Sequence, residues 1–361
     1  MKPREEGLIS NNIKPDETQT PSLWYVGERI FFILASGDIY GWFFRMEAAV
    51  RIIDLVKRFG NTIAVNGLNL TIEEGEIFGL LGPNGSGKST TLLIIATVYK
   101  PTSGDVIVFG KSVVKQGDKV RRYVGISFQE PKALWVDKPY EILLWHAMVV
   151  GYSMGDARKV VRDVMEDLEV WEHRNKTFAE LSGGSKKKVE LAKIFIQRPR
   201  LAIFDEPTAQ LDIITKHNVW RMIEDLRMSG STVIVATNEM VEAERLSDRI
   251  GIIYRGSLRA LGTPGELKDG IPGGDIIEAI VDGPIKQDFL EMVKNGVDAM
   301  RIDLKDAVIR IYVNRGEEKI ARIVDLFTSR GIKIRQISLK EPTLDDVFFY
   351  YTGAKLVGDE N

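Results

Sequence analysis

The run Gly82-Pro83-Asn84-Gly85-Ser86-Gly87-Lys88-Ser89-Thr90 points most directly to chemistry. It fits G-x-x-x-x-G-K-[ST], a phosphate-binding loop. Glycines let successive backbone N–H groups converge on a dense negative charge, and a following helix adds its positive N-terminal end. Lys88 can reach the β- and γ-phosphates of a nucleotide, and the Ser89 hydroxyl can ligate Mg²⁺. A coincidental glycine-rich loop would lack the right setting. Here Glu76 to Leu81 reads as a buried strand before the loop, and Thr91 to Ala96 as an apolar helix after it.

Two further stretches carry chemistry. Arg200 to Phe204 is a short apolar strand closing on Asp205-Glu206. A carboxylate at that strand end can hold Mg²⁺ through water beside Ser89, and its bland alternative is a strand-end cap. Glu206 follows it as a second carboxylate, a residue type able to act as a general base. Leu181-Ser182-Gly183-Gly184 interrupts a helical region and precedes another helix, which makes a second anion-binding N-terminus. Lys186-Lys187-Lys188, just beyond, reads as a solvated helix face rather than a phosphate site.

Composition sets the bounds. The 361 residues suffice for two or three domains with a proper core. A formal charge of −2 gives no basic field that would argue for nucleic acid. The absence of cysteine excludes disulfides and thiolate metal sites and fits a reducing compartment. With only His146, His173 and His217, a multi-histidine zinc site is not indicated. No stretch reaches the ~18 to 20 apolar residues of a membrane-spanning helix. The nearest, Ile30 to Phe44, is broken by Asp38, and no clear cleavable signal is expected. Work at a membrane would require binding something that spans it.

The elements that must position these residues follow from the pattern. Residues 1 to 48 form an N-terminal extension: the first twenty read as disordered, and an aromatic run from Trp24 to Phe44 follows. Three readings stand for that run: a membrane-surface or partner-binding segment, a small ordered appendage, or a stretch outside the working protein. The third, with translation starting at Met46, is favoured. Strands are expected over Arg51–Val56 and in short pieces through Leu70. Others lie at Asp105–Gly110, Val124–Phe128 and Thr232–Ala236, with a hairpin over Ile250–Tyr254 and Ser257–Leu261. Helices are expected at Tyr140–Met148, Ala157–Leu168, Ser185–Ile196, Ile213–Met228 and Glu239–Leu246. Thr263-Pro264-Gly265 and Gly270 to Gly274 mark a linker. Beyond it the order β-α-β-β-α-β suggests a ferredoxin-like unit closed by a helix over Thr343–Tyr351.

The phosphate loop, Gln129, Leu181-Ser182-Gly183-Gly184, Asp205-Glu206-Pro207-Thr208 and Leu211-Asp212 resemble the ATP-binding subunit of ABC transporters, from about Arg51 to Leu267. The tail, through Glu341-Pro342-Thr343-Leu344-Asp345-Asp346-Val347-Phe348, resembles the C-terminal extension of daunorubicin-resistance-type exporter ATPases. The resemblance implies an α/β P-loop NTPase of ABC type, with a RecA-like core, an antiparallel β subdomain and a helical subdomain, over residues 49–268. The helical subdomain occupies about 131–185, and a C-terminal α+β ferredoxin-like domain occupies 269–361. It also implies ATP and Mg²⁺ as cofactors, and a place at the cytoplasmic face of the membrane as a peripheral subunit. Its implied partners are an integral-membrane permease and a second ATP-binding subunit.

Roles carry over residue by residue. Glu206 becomes the catalytic base, and Gln129 contacts Mg²⁺ and the attacking water and senses the membrane partner. Ser89, Gln129 and Asp205 hold the metal. Phe59 matches the aromatic that stacks on adenine, with a core phenylalanine as its alternative. Leu181, Ser182, Gly183, Gly184 and Ser185 form the signature that caps ATP on the facing subunit, which implies a dimer with two sandwiched ATP molecules. Asp212 belongs to the communication between subunits. Trp135, Tyr140 and Trp145 are candidate permease contacts or, equally, core aromatics of the helical subdomain.

Two departures from the family pattern stand out. Ser185 replaces a usual glutamine, and Asn238 stands where the family places a histidine that contacts the γ-phosphate. An amide can donate a hydrogen bond but cannot take up a proton. Slowed hydrolysis with retained ATP binding is the expectation, and pairing with a different ATPase subunit is one way such a site persists. The favoured reading is an ATPase subunit that powers export. The alternatives are a soluble ABC ATPase working on ribosomes or DNA, and a regulatory, nearly non-hydrolytic subunit.

Overall fold

The computed structural model describes residues 22–26, 29–33, 39–44, 48–131, 136–271, 273–283, 285–305, 307–340 and 342–354. The first twenty residues, Met46, Trp135 and Glu341 lie outside them. The chain divides into two units, Met1–Glu47 and Ala48–Asn361. In the first, strands Ser22–Val26, Arg29–Ile33 and Ile39–Phe44 pair antiparallel in that order.

The second unit is built around a six-stranded sheet. Its strands lie in the order Ser257–Gly262, Arg249–Tyr254, Ile77–Leu81, Thr232–Thr237, Leu201–Asp205, Val124–Ser127. All neighbours are parallel except the edge hairpin at Ser257–Gly262. Ile77–Leu81, Leu201–Asp205 and Thr232–Thr237 are buried at every residue, as strands covered on both faces must be. That is why they read as unbroken apolar runs. Ile77–Leu81 sits between strands that come much later in the chain. Its carboxyl end therefore lies at a crossover where parallel sheets form ligand clefts.

A second sheet, Thr62–Glu73, Ala48–Phe59, Ser103–Val108 and Lys111–Ser112, is antiparallel throughout. The short strand pieces expected before Leu70 are two long strands joined at Gly60, carrying several register shifts. Helices Pro139–Val149, Met154–Asp167 and Gly183–Gln197 share one core, in which Leu143, Val161, Met165, Leu191 and Phe204 are buried. Tyr140 packs on this core with its ring 5.9 Å from Trp171, so the core-aromatic alternative holds for it. Trp145 is 69% exposed and belongs to the surface.

The C-terminal sheet orders its strands Arg301–Lys305, Val308–Val313, Asp275–Val281, Ile334–Lys340, all antiparallel. Helices Gln287–Gly296 and Gly316–Ser329 cover it, and Phe289 meets Phe327 edge-to-face at 4.8 Å. Sheet order and connections are those of the ferredoxin-like unit. The expected linker differs. Thr263 caps a helix, Pro264–Asp269, in a capping box with Glu266. Pro264, read as a breaker, sits in the first turn, where proline's missing N–H costs nothing. Leu267 of this helix packs with Leu344, Val347 and Phe348 of the terminal helix Leu344–Thr352 against Leu81, Ile250 and Ile252. The chain's last helix is thus anchored on the large sheet. Among the described residues no helix is long and apolar enough to cross a membrane.

Candidate functional site

The strand Ile77–Leu81 delivers the loop Gly82–Gly87, and helix Lys88–Ile95 leaves it. Gly82 and Gly87 are fixed by space: a Cβ would come within 2.3 Å of the Ile253 carbonyl oxygen at Gly82 and 2.4 Å of the Ala64 carbonyl oxygen at Gly87, where φ is +106°. Gly87 carries no capping side chain, so the first N–H groups of this helix are left for an anion. Lys88 is buried, and its Nζ donates to the carbonyls of Gly82 at 2.7 Å and Pro83 at 3.1 Å. Burial pushes its ammonium down, opposed by Glu206 and then Asp205.

The end of the neighbouring strands brings the acid residues in. Asp205 is 5% exposed, and burial pushes its carboxyl up; the Ser89 hydroxyl hydrogen-bonds it and opposes the rise, while Glu206 adds to it. Oδ1 of Asp205 has no hydrogen-bond partner. A divalent cation bound by the Ser89 hydroxyl, the Asp205 carboxylate and phosphate oxygens fits these donors. It would satisfy that orphaned oxygen and offset the buried negative charge. No cluster of three or more His, Asp or Glu able to hold a metal occurs among the described residues.

Glu206 follows at φ +48°, a left-handed conformation costly for a non-glycine residue and typical of functional corners. Its amide donates to the Ala236 carbonyl at 2.8 Å. Gln129, 77 residues earlier, donates from Nε2 to Glu206 Oε2 at 2.9 Å. The strands Val124–Ser127 and Leu201–Asp205 are adjacent, and that pairing brings the two residues together. Asn238 reaches back to the loop, with Nδ2 3.5 Å from Asn84 Oδ1. Phe59 is 45% exposed, so the core alternative fails for it. It meets Tyr99 edge-to-face at 5.5 Å, with Lys57 Nζ 4.8 Å from its ring centroid.

The remaining expected residues have local partners. Ser182 caps helix Gly183–Gln197 by accepting from the Ser185 amide at 3.2 Å, and its hydroxyl lies 3.0 Å from that of Ser185. Asp212 caps helix Ile213–Met228, accepting from the Thr215 amide at 3.0 Å and its hydroxyl at 2.7 Å; these bonds hold its carboxyl below the usual range.

Two residues of the site escaped sequence reasoning. Lys187 is buried, with Nζ donating to the Asp205, Phe128 and Gln129 carbonyls at 2.9, 3.0 and 3.4 Å. The solvated-face reading of Lys186-Lys187-Lys188 is therefore wrong at its middle member, and Lys188, with its side chain 12% exposed, is largely covered as well. The signal was available: Leu191 and Ile194 lie four and seven positions on, so helical periodicity puts Lys187 on their buried face. Glu242 is also buried, accepting from Thr208 Oγ1 at 2.8 Å and Trp220 Nε1 at 3.1 Å; burial pushes its carboxyl up.

Residues 65–209 match the family described as ABC transporter. Residues 262–352 match the family described as ATP-binding protein DrrA1-3-like, C-terminal domain. The linearmycin resistance ATP-binding protein LnrL of Bacillus subtilis is 31% identical, over 84% of this chain and 98% of that protein. The daunorubicin/doxorubicin resistance ATP-binding protein DrrA of Streptomyces peucetius is 30% identical, over 84% of this chain and 92% of its own. The Nod factor export ATP-binding protein I of Rhizobium etli is 32% identical, over 85% and 94%. A solved dimeric ATP-binding cassette in a post-hydrolysis state, bound to ADP and Pi, superposes with TM-score 0.56 at 27% identity, over 59% of this chain and 98% of that one.

Proposed function

Because this chain belongs to the ATP-binding subunits of ABC transporters, with the C-terminal domain of the DrrA type, we propose that it powers export through a separate membrane permease from the membrane's cytoplasmic face. Residues 49–268 act as the ATP-binding domain and 269–361 as an accessory domain tied back through the terminal helix. Relatives named for drug resistance and Nod factor export support the direction. Two copies, or this chain and a second ATP-binding subunit, close around two ATP molecules, and hydrolysis reopens them.

The observation that carries the reading is the Gln129–Glu206 hydrogen bond beside Lys88 and the orphaned Asp205 oxygen. The loop from Gly82 to Thr90 binds the phosphates, and Phe59 offers a face to the base. When bound, Mg²⁺ would neutralise developing charge on the phosphates, and Ser89, Asp205 and Gln129 are placed to hold it. Glu206 accepts the proton of the attacking water, and Gln129 orients both. Leu181 to Ser185 present the helix N-terminus to the partner's γ-phosphate, and Asp212 holds the adjoining helix start. Trp145 is the surface residue offered to the permease. Sedimentation of Glu206→Gln protein with and without ATP tests closure between two copies: an ATP-dependent dimer is expected, and a monomer at saturating ATP contradicts the homodimer and leaves closure to a second, different ATP-binding subunit.

A second reading, a regulatory subunit with little hydrolysis, is favoured by Asn238. Its amide lies over the phosphate loop at Asn84 and cannot take up a proton. A rise in turnover in Asn238→His would support that reading, and equal turnover would count against it.

A further inference from the structure

Helix Gly183–Gln197 touches two functions: Ser182 caps its start, and Lys187 enters the strand ends five residues later. We propose that Lys187 is a positioning residue that couples the Ser182–Gly184 segment to the Gln129–Glu206 pair. The inference rests on the reading above, in which that segment meets the partner's nucleotide and that pair activates water.

Three backbone carbonyls receive the ammonium: those of Asp205, Phe128 and Gln129. An ammonium has three donors and no acceptor, so its capacity is spent on these three groups. They sit at the ends of two neighbouring parallel strands, immediately before Glu206 and at or before Gln129. Glu190, one turn further along the helix, stands 3.5 Å from the Phe128 amide. Both backbone polar groups of Phe128 thus face this one helix. Asp205, Glu190, Glu206 and Glu242 are the acidic groups that oppose the desolvation of Lys187.

Packing alone does not call for a cation. Val189, Leu191 and Ile194 fill the same helix's buried positions with hydrocarbon. A buried ammonium is tolerated only where its donors are met, which makes the site sensitive to where those carbonyls lie. Five residues of α-helix span roughly 7.5 Å and move as one stiff body. A shift of the helix start, imposed by the partner's nucleotide, therefore arrives at Lys187. It draws the Gln129 and Asp205 carbonyls with it, and the 2.9 Å contact between Gln129 and Glu206 tightens or loosens accordingly. Each site is thereby informed that the other is filled.

The test uses purified full-length protein as Lys187→Met, Lys187→Arg and Glu206→Gln, with turnover followed against ATP concentration and ATP binding measured separately. Lys187→Met is expected to lose turnover on the order of 100-fold, as misplacement of reacting groups does. ATP affinity should stay within about twofold, because the phosphate loop is untouched. The Hill coefficient should fall towards one, and Lys187→Arg, which keeps the donors, should recover turnover and cooperativity. Native turnover and Hill coefficient in Lys187→Met would overturn the proposal. So would a parallel loss of stability, affinity and turnover in both variants, which marks a merely structural lysine. If Lys187→Met does not fold, Lys187→Arg decides: retained cooperativity supports the coupling, and its loss in a folded protein overturns it. Persistent turnover in Glu206→Gln would sink the reading of the water-activating pair instead.

Discussion

At the mouth of the six-stranded sheet, Lys88, Lys187, Asp205 and Glu242 are all buried. On the C-terminal sheet, Glu278 meets Lys340 at 2.8 Å and Arg310 at 3.0 Å, with both cationic side chains more than half exposed. The same residue types are handled in opposite ways. Burial pushes the Asp205 and Glu242 carboxyls up, so at neutral pH they weigh against the folded state. The hydrogen bond from Lys340, then that from Arg310, holds Glu278 below the usual range. Desolvated charge is gathered where a ligand would meet it, whereas the C-terminal sheet keeps this cluster of charges wet and cheaply paired.

The contrast can be broken first at Lys88. Lys88→Met should weaken ATP binding by about 2–5 kcal/mol, the cost of removing one partner of a buried charge contact. Equilibrium nucleotide titration measures it, and an unchanged affinity would remove Lys88 from the site. The next effect is in pH. A carboxyl raised on folding contributes stability that is present below its unfolded value and lost as pH rises through the folded one; a lowered carboxyl does the reverse. Hydrogen exchange, corrected for intrinsic rate, should show Leu201–Asp205 better protected just above the ordinary carboxylate range, roughly pH 4 to 5, than at pH 7. Protection at Asp275–Val281 should instead fall only as the pH drops below that range. Parallel trends in both strands would erase the comparison. The smallest effect belongs to Glu278→Gln. Its partners are solvent-screened, so a denaturant midpoint should report a loss of only about 0–1 kcal/mol. A larger loss would show that the C-terminal pairs are not the ordinary surface contacts described here.

Much of this was legible in the chain. Central strands such as Ile77–Leu81 announce themselves as unbroken apolar runs, and the ferredoxin-like order emerges from alternating strand and helix signals. The glycine-rich loop is legible because its chemistry is local. What stayed hidden depends on tertiary context. Pro264 looked like a break and is a helix start, because Thr263 and Glu266 close a capping box around it. The terminal helix was assigned by position to the C-terminal unit, yet Val347 and Phe348 pack on the large sheet. Lys187 looked like one of three solvated lysines; only the carbonyls that converge on it, from segments up to 59 residues away, explain its burial. Tyr140 and Trp145, alike in sequence character, part ways because the helix Pro139–Val149 turns one towards the core and the other outward.

The central claim is that Glu206, oriented by Gln129 at the end of a buried strand, activates water against ATP. Steady-state ATP turnover of the native protein beside Glu206→Gln, with Mg²⁺ present, tests it most directly. The account predicts measurable native turnover that falls about 10²–10⁴-fold in the variant while ATP binding is retained. Turnover that survives Glu206→Gln would contradict it.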